Sequence, residues 1–263
     1  MATRSAIINV MAKAADKAAR SLKRDFGEVS QLQVSTKGPG DFVTNADLKS
    51  ERTLRDELQK ARPNFGFLME ESGEIPGSDP DHRWIVDPLD GTTNFLHGLP
   101  HFAISIALEQ KGEIIAGLVY DPAKDELFWA EKGQGAFFND RRMRVSGRKQ
   151  LPESLLATGI PFIGHGDHPR FLRQLDAAMR ETAGVRRMGA AALDLAYVAA
   201  GRYECFWEEG LSSWDMAAGI ILVREAGGYV SDMKGGQTMF QSSSILASNG
   251  TLHAPLQALL GSR

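Results

Sequence analysis

The strongest constraint on this chain lies between Trp84 and Phe95, which reads Trp-Ile-Val-Asp-Pro-Leu-Asp-Gly-Thr-Thr-Asn-Phe. Its apolar start reads as a buried strand. Pro88 cannot donate to a central ladder, so the strand should break there. Asp87 and Asp90 flank that break. Gly91 to Asn94 follow, small and polar residues that suit the start of a helix. Carboxylates at a strand's carboxyl end can hold hard divalent cations, which prefer oxygen ligands. Backbone N–H groups at a helix start can hold an anion. Metal and anion together describe a phosphate site. Alone, the stretch fits equally well a junction in which Asp90 and Asn94 merely cap.

With 263 residues the chain can bury a large core, as one big domain or two packed halves. Its 43% hydrophobic and 24% charged residues are ordinary for a globular protein. A net charge of −3 and a pI near 6.1 leave no basic footprint for nucleic acid. The one cysteine, Cys205, allows no intramolecular disulfide and suits a reducing compartment. Tyr203, Phe206 and Trp207 around it point to a buried strand and a structural thiol. No leader-like apolar region and no membrane-length run stand out, so a cytoplasmic location is expected.

Residues 4–26 carry apolar side chains at three- and four-residue steps, which predicts an amphipathic packing helix ended by Gly27. A Gly- and Pro-punctuated loop follows, from Lys37 to Asp47. Thr44 and Asp47 resemble a capping box for a helix running to about Arg62. Lys37 reads by itself as a solvated charge. Residues 65–69 form a short strand leading into Glu70 and Glu71. Glu70, at the strand's end, repeats the logic of Asp87 and Asp90, whereas Glu74 reads as solvated. Residues 102–109, 114–120 and 126–131 predict an antiparallel meander. Gly133 and Gly135 lack the strand–helix context of a dinucleotide fingerprint. From Leu151 onward the pattern alternates. Strands are expected at 155–158, 203–208, 229–230 and 244–247, and helices at 170–181, 190–200, 213–226 and 252–260. Helices layered on sheets indicate a mixed α/β sandwich. The loop from His165 to His168 lacks a third nitrogen or sulfur ligand and reads as solvated. Asp215, in the first turn of an apolar helix, fits a helix-start acid and a metal ligand equally.

Four motifs now stand in order: Asp41-Phe42-Val43-Thr44-x-x-Asp47, Glu70-Glu71, Asp87-Pro88-Leu89-Asp90-Gly91-Thr92-Thr93-Asn94-Phe95, and Trp214-Asp215-x-Ala217-Ala218-Gly219. Together they resemble the inositol monophosphatase family over nearly the whole chain, the bacterial members in particular through residues 189–197 and 199–202. The resemblance implies a layered αβαβα sandwich of the inositol monophosphatase and fructose bisphosphatase type. Residues 1–150 would form an α+β half carrying most metal ligands. Residues 151–263 would form an α/β half carrying Asp215 and substrate contacts. It implies Mg²⁺-dependent hydrolysis of inositol monophosphate or a similar small phosphate monoester. Glu70, Asp87 and the Leu89 carbonyl would hold one Mg²⁺, and Asp87, Asp90 and Asp215 another. Glu70 could touch a weaker third through water. Thr92 paired with Asp47 would orient and deprotonate the attacking water. The N–H groups of Gly91 and Thr92 would bind phosphate. Glu208 would take the polyol hydroxyls, near Ala191, and Lys37 would be a mobile loop lysine near the metals. A homodimer and lithium sensitivity are also implied.

The chemistry has its own logic. A phosphate dianion repels a nucleophile, and paired cations about 3.5–4 Å apart neutralise it. Such a site needs carboxylates rather than a Ser, Cys or His nucleophile, and no triad is visible. Without metal these acids repel one another, so the Lys37–Thr44 loop is expected to be only partly ordered in the metal-free chain. Ser212 stands where animal relatives carry a histidine, and the 160–169 loop looks peculiar to this chain. Substrate choice among inositol, sugar, histidinol and nucleotide phosphates therefore stays open, although Glu208 favours a polyol over a second phosphate. A separate reading is a partner of the transcription machinery. Arg186, Arg187, Lys132, Arg141, Arg142 and Arg144 could supply its surface, but dimer contacts or solvated charges explain them as well.

Overall fold

The computed structural model describes residues 3–28, 34–38 and 41–261, with side chains omitted at 34–38 and 41–43. The chain opens with α1 (Ala6–Phe26), where Ser5 Oγ accepts from the Ile8 N–H at 3.2 Å. Gly27 follows in the right-handed region, φ −70°, so this helix ends without the left-handed cap its glycine would permit. The expected loop is instead an antiparallel hairpin, β1 (Val34–Gly38) and β2 (Asp41–Thr44). Lys37 lies on β1. Its side chain and residues 39–40 lie outside the described residues, and so does the expected partial order of that loop.

Then come α2 (Asn45–Ala61), β3 (Phe65–Met69), β4 (Gly73–Ile75), β5 (Asp79–Asp90) and the short α3 (Thr92–Leu96). The meander continues as β6 (Ala103–Gln110), β7 (Glu113–Asp121), β8 (Glu126–Glu131), β9 (Gly135–Phe138) and β10 (Arg141–Met143). The remainder is β11 (Leu155–Thr158), α4 (His168–Glu181), β12 (Gly184–Arg186), α5 (Ala191–Ala199) and β13 (Cys205–Glu209). It ends with α6 (Ser213–Glu225), β14 (Tyr229–Ser231), α7 (Met239–Ser242), β15 (Ser244–Ser248) and α8 (His253–Gly261).

One sheet has eight strands in the order β10-β9-β8-β7-β6-β5-β3-β4, and the other five, β12-β11-β13-β15-β14. Strand side chains alternate between faces, and that alternation assigns the layers. In the large sheet Trp84, Val86, Ile104, Ile106 and Leu118 face α1 and α2, in one core with Ile8, Met11 and Leu54. Their neighbours Ile85, Ala103, Ala107 and Val119 point the other way, into a core with α5 and α6. The small sheet closes that core with Ala157, Phe206 and Ala247. Its opposite face, Leu156, Cys205, Trp207 and Leu246, packs with Ala178 of α4 and Leu256 of α8. The result is five layers, αβαβα. Two glycines set the inner spacing. A methyl on Gly117 would come within 2.6 Å of Ile221, and one on Gly219 within 2.3 Å of Leu195. They let α6 lie close against the large sheet on one side and α5 on the other. No helix among the described residues is long and apolar enough to cross a membrane.

Candidate active site

The middle layer brings the acids together. Along β5, Ile85 faces α5 and α6, and alternation turns Asp87 the same way. Pro88 does not end the strand, as its missing N–H led us to expect. The β5–β6 register slips instead, pairing Asp87 with Ser105 and Asp90 with Ala103. This is a bulge, where an extra residue bends the strand and re-aims its side chains. Leu89 N–H donates to Asp87 Oδ1 at 2.9 Å, and Ser50 Oγ donates to the Pro88 carbonyl at 2.8 Å. Gly91 then adopts φ +90°, a conformation that favours glycine, and starts α3.

Asp47 is a helix-start acid whose side chain also reaches Thr92. Its Oδ2 accepts from the Thr44 N–H at 2.9 Å and Thr44 Oγ1 at 2.6 Å, closing a capping box. Its Oδ1 accepts from Thr92 Oγ1 at 3.0 Å. Thr92 Oγ1 also lies 2.9 Å from the Leu89 carbonyl. Burial pushes the Asp47 pKa up, against the pull of those hydrogen bonds.

The end of β3 is held from α2. Glu51, one turn after Asp47 and buried, accepts the Glu71 N–H at 2.8 Å and the Ser72 hydroxyl. Sequence reading missed this residue, although its spacing of four from Asp47 puts both on one helix face. Glu70 N–H donates to the Val86 carbonyl at 3.2 Å, which stitches the Glu70 turn beside Asp87. From the other side, Asp215 Oδ2 accepts the Ser212 N–H at 2.7 Å at the start of α6. Ser105 Oγ, opposite Asp87, donates to the Trp214 carbonyl at 3.2 Å. Ala192 N–H, in the first turn of α5, donates to Asp90 Oδ2 at 2.8 Å.

These elements enclose a cavity of about 240 Å³. Glu70, Asp87, Leu89 and Asp90 line it, as do Asp215, Gly91, Thr92, Ala191 and Glu208. Asp47 reaches it through Thr92. Among the described residues, no cysteine or histidine lines it. The expected surface cation Arg187 does, as its only cationic side chain among the described residues. Arg187 precedes a segment tied to α3, where Asn94 Nδ2 donates to the Met188 carbonyl at 2.8 Å. Lys132, by contrast, is a solvated charge paired with Glu113 at 2.6 Å.

The acids raise one another. Burial, then the charges of Glu70, Asp90 and Asp215, push Asp87 well above the carboxylate range. Burial and Asp90 do the same for Asp215. Asp90 is pushed up to about 7, chiefly by burial, with Glu208 and Glu70 adding to it. Burial and Asp215 raise Glu208 to about 8. Among the described residues no three His, Cys, Asp or Glu side chains stand in ready metal-holding geometry. The fit to a hard divalent cation rests on the all-oxygen donor set and on the convergence of these acids beside a single arginine among the described residues.

The family model for inositol monophosphatases matches residues 3–262. The chain belongs to the inositol monophosphatase family. An inositol-1-monophosphatase from Mesorhizobium japonicum is 60% identical over 253 residues, covering 96% of this chain and 95% of that one. A Nus factor SuhB from Pseudomonas aeruginosa is 47% identical, covering 92% of this chain and 91% of that one. The crystal structure of extragenic suppressor protein suhB from Bartonella henselae aligns with TM-score 0.95 at 58% identity, covering 97% and 98% of the two chains. The inositol monophosphatase reading from motifs and the five-layer arrangement of the cores therefore agree.

Proposed function

We propose that this chain hydrolyses small phosphate monoesters, inositol monophosphate foremost, with Mg²⁺ held by Glu70, Asp87, the Leu89 carbonyl, Asp90 and Asp215. The observation that carries the reading is the hydrogen bond of 3.0 Å between Thr92 and Asp47 at the edge of an acid-lined cavity. Bound divalent cations would neutralise the phosphate and acidify water. The chain's own part is orientation and proton transfer. Gly91 and Thr92 N–H groups hold the phosphate oxygens. A water donating to Thr92 Oγ1 loses its proton through that hydroxyl to Asp47 Oδ1, and the raised Asp47 pKa makes it a competent base. Glu208 accepts hydroxyl hydrogen bonds from the departing polyol, beside Ala191, and Lys37 sits on the hairpin that precedes Asp47.

The test is phosphate release from inositol 1-phosphate, fructose 1,6-bisphosphate, histidinol phosphate and 3′-phosphoadenosine 5′-phosphate, with and without Mg²⁺. Turnover that needs Mg²⁺ and vanishes in Asp90→Asn is expected. A folded, Mg²⁺-binding chain that releases phosphate from none of them would overturn the reading.

A second reading has one support, the relatives named Nus factor SuhB, such as that of Escherichia coli K12 at 45% identity. In it the chain, as a homodimer in the cytoplasm, also binds the transcription machinery. Asp87→Asn should then still retain transcription factors from an extract, while a variant of Arg141, Arg142 and Arg144 should not.

A further inference from the structure

A second chamber of about 130 Å³ adjoins the catalytic cavity, and Gly159, Phe162 and Glu208 line both. The proposed mechanism uses only the first. The Glu208 carboxyl forms the partition, packed where Gly159 has no side chain. A methyl on Gly159 would lie 1.9 Å from the Glu208 Cδ.

The outer wall is the loop between β11 and α4, and its own contacts hold it. The Phe162 and His165 rings pack with centroids 4.4 Å apart, and the His165 N–H donates to the Phe162 carbonyl at 2.9 Å. Asp167 Oδ1 caps α4 by accepting the Arg170 N–H at 2.9 Å. The inner wall has Gln174 and Trp207, both buried. The charges there are already matched, since Glu209 Oε1 takes Arg170 Nε and Gln174 Nε2, each at 3.1 Å. Trp207 Nε1, in contrast, is buried and finds no hydrogen-bond partner among the described residues. The chamber is therefore walled by the Phe162 and His165 rings, with Glu208 at the partition as its one carboxyl outside these pairings. Flat, uncharged groups suit such walls.

We propose that this chamber receives a single planar ring carried by the leaving alcohol of the phosphate monoester, an inference that rests on the phosphatase reading above. Size decides the ring count. A dry cavity of about 150 Å³ takes benzene, so a chamber of about 130 Å³ matches the size of one ring rather than two fused ones. The substrate class is then a phosphate ester whose alcohol bears a phenyl-sized group, reaching past Glu208.

Steady-state turnover by the full chain with Mg²⁺ tests this, comparing ethyl, 2-phenylethyl and 2-(1-naphthyl)ethyl phosphates with inositol 1-phosphate as control. The simple alkyl leaving groups are of similar basicity, so differences report binding of the ring. Wild type should favour 2-phenylethyl over ethyl phosphate about tenfold in kcat/KM, mostly through KM, and the naphthyl ester should lose that gain. Gln174→Phe, which fills the chamber from α4, should bring the ratio to about one and leave ethyl phosphate turnover unchanged. Independently of any variant, 2-phenylethanol should inhibit wild type competitively where ethanol does not. Equal turnover of the two alkyl esters by wild type, or a preference that survives in Gln174→Phe, would overturn the chamber's role while leaving the phosphatase intact. Failure to release phosphate from inositol 1-phosphate and from every alkyl ester would overturn both.

Discussion

Asp90 accepts the Ala192 N–H through Oδ2, and burial, with Glu208 and Glu70 adding to it, holds its pKa near 7. Asparagine would keep an oxygen for that hydrogen bond and remove a charge that repels its neighbours. Asp90→Asn should therefore raise the melting temperature of metal-free protein, by about 2 °C or more if relief is on the order of 1 kcal/mol, while lowering phosphate release about 100-fold or more. Calorimetry in chelator beside a phosphate assay separates the two effects, and a destabilised metal-free variant would refute the repulsion account. Thr92 makes the opposite case. Its hydroxyl bridges to Asp47 and Leu89 but its side chain carries no charge. Thr92→Val should cut kcat by about 100-fold and retain most of the Mg²⁺-induced rise in melting temperature. Loss of that rise would mean Thr92 organises the metal ligands rather than the water.

At the scale of elements, α6 matters most, because it carries Asp215 and lies between the sheets. Its approach to α5 depends on Gly219. Gly219→Val should overpack the contact with Leu195, costing about 1–3 kcal/mol, and Leu195→Ala in the same chain should recover part of it. Additive losses in the double variant, read from urea unfolding, would show that the glycine serves something other than this contact. The histidines are a second element-level feature. His253, at the start of α8, lies between Ser231 Oγ at 2.9 Å and Ser248 Oγ at 2.8 Å. The pairing fixes α8 to β14 and β15, and none of the three residues lines the acid-lined cavity, so it is a structural serine–histidine contact. Burial lowers the His253 pKa to about 4.

For the whole molecule these groups act on pH stability with opposite signs. A histidine whose folded pKa lies near 4 refuses a proton that the unfolded chain takes below about 6.5. Stability is then lost as pH falls from about 6.5 to 4, and His101, lowered to about 4 by burial and Lys124, adds to the loss. Acids raised in the fold do the reverse. Asp90 near 7 and Glu208 near 8 take up protons that the unfolded chain takes only near pH 4, so metal-free stability grows as pH drops from about 8. Metal-free protein should thus be most stable in mildly acidic solution. His253→Gln should flatten the acid side, and Mg²⁺ should raise the neutral side, in melting curves taken from pH 4 to 9. A metal-free curve with its maximum above pH 8 would contradict the carboxylate assignment.

Most elements were legible in the sequence because each follows from local rules. The period of apolar residues marks α1, a capping box marks α2, and apolar β-rich runs between turns mark the β6–β8 meander. The acids at 70, 87, 90 and 215 each stand at the end of a strand or the start of a helix, so their types and positions could be read directly. Other features depended on which element lies across from which. Pro88 was expected to end β5, but Ser50 and the Asp87 side chain support a bulge that keeps the pairing going. The loop around Lys37 became a hairpin, since pairing of β1 with β2 outweighed its glycines and proline. Glu51 went unnoticed in the sequence, and only the Glu71 turn docked on it reveals its part. Arg187 read as a surface charge and lines the cavity. Sequence alone determined the local elements and the chemical kind of site, because periodicity and residue chemistry act over a few residues. Tertiary structure alone decided the convergence of α2, α3, β5, α5 and α6 on one cavity and the chamber behind Glu208, because packing between distant segments leaves no local pattern in the chain.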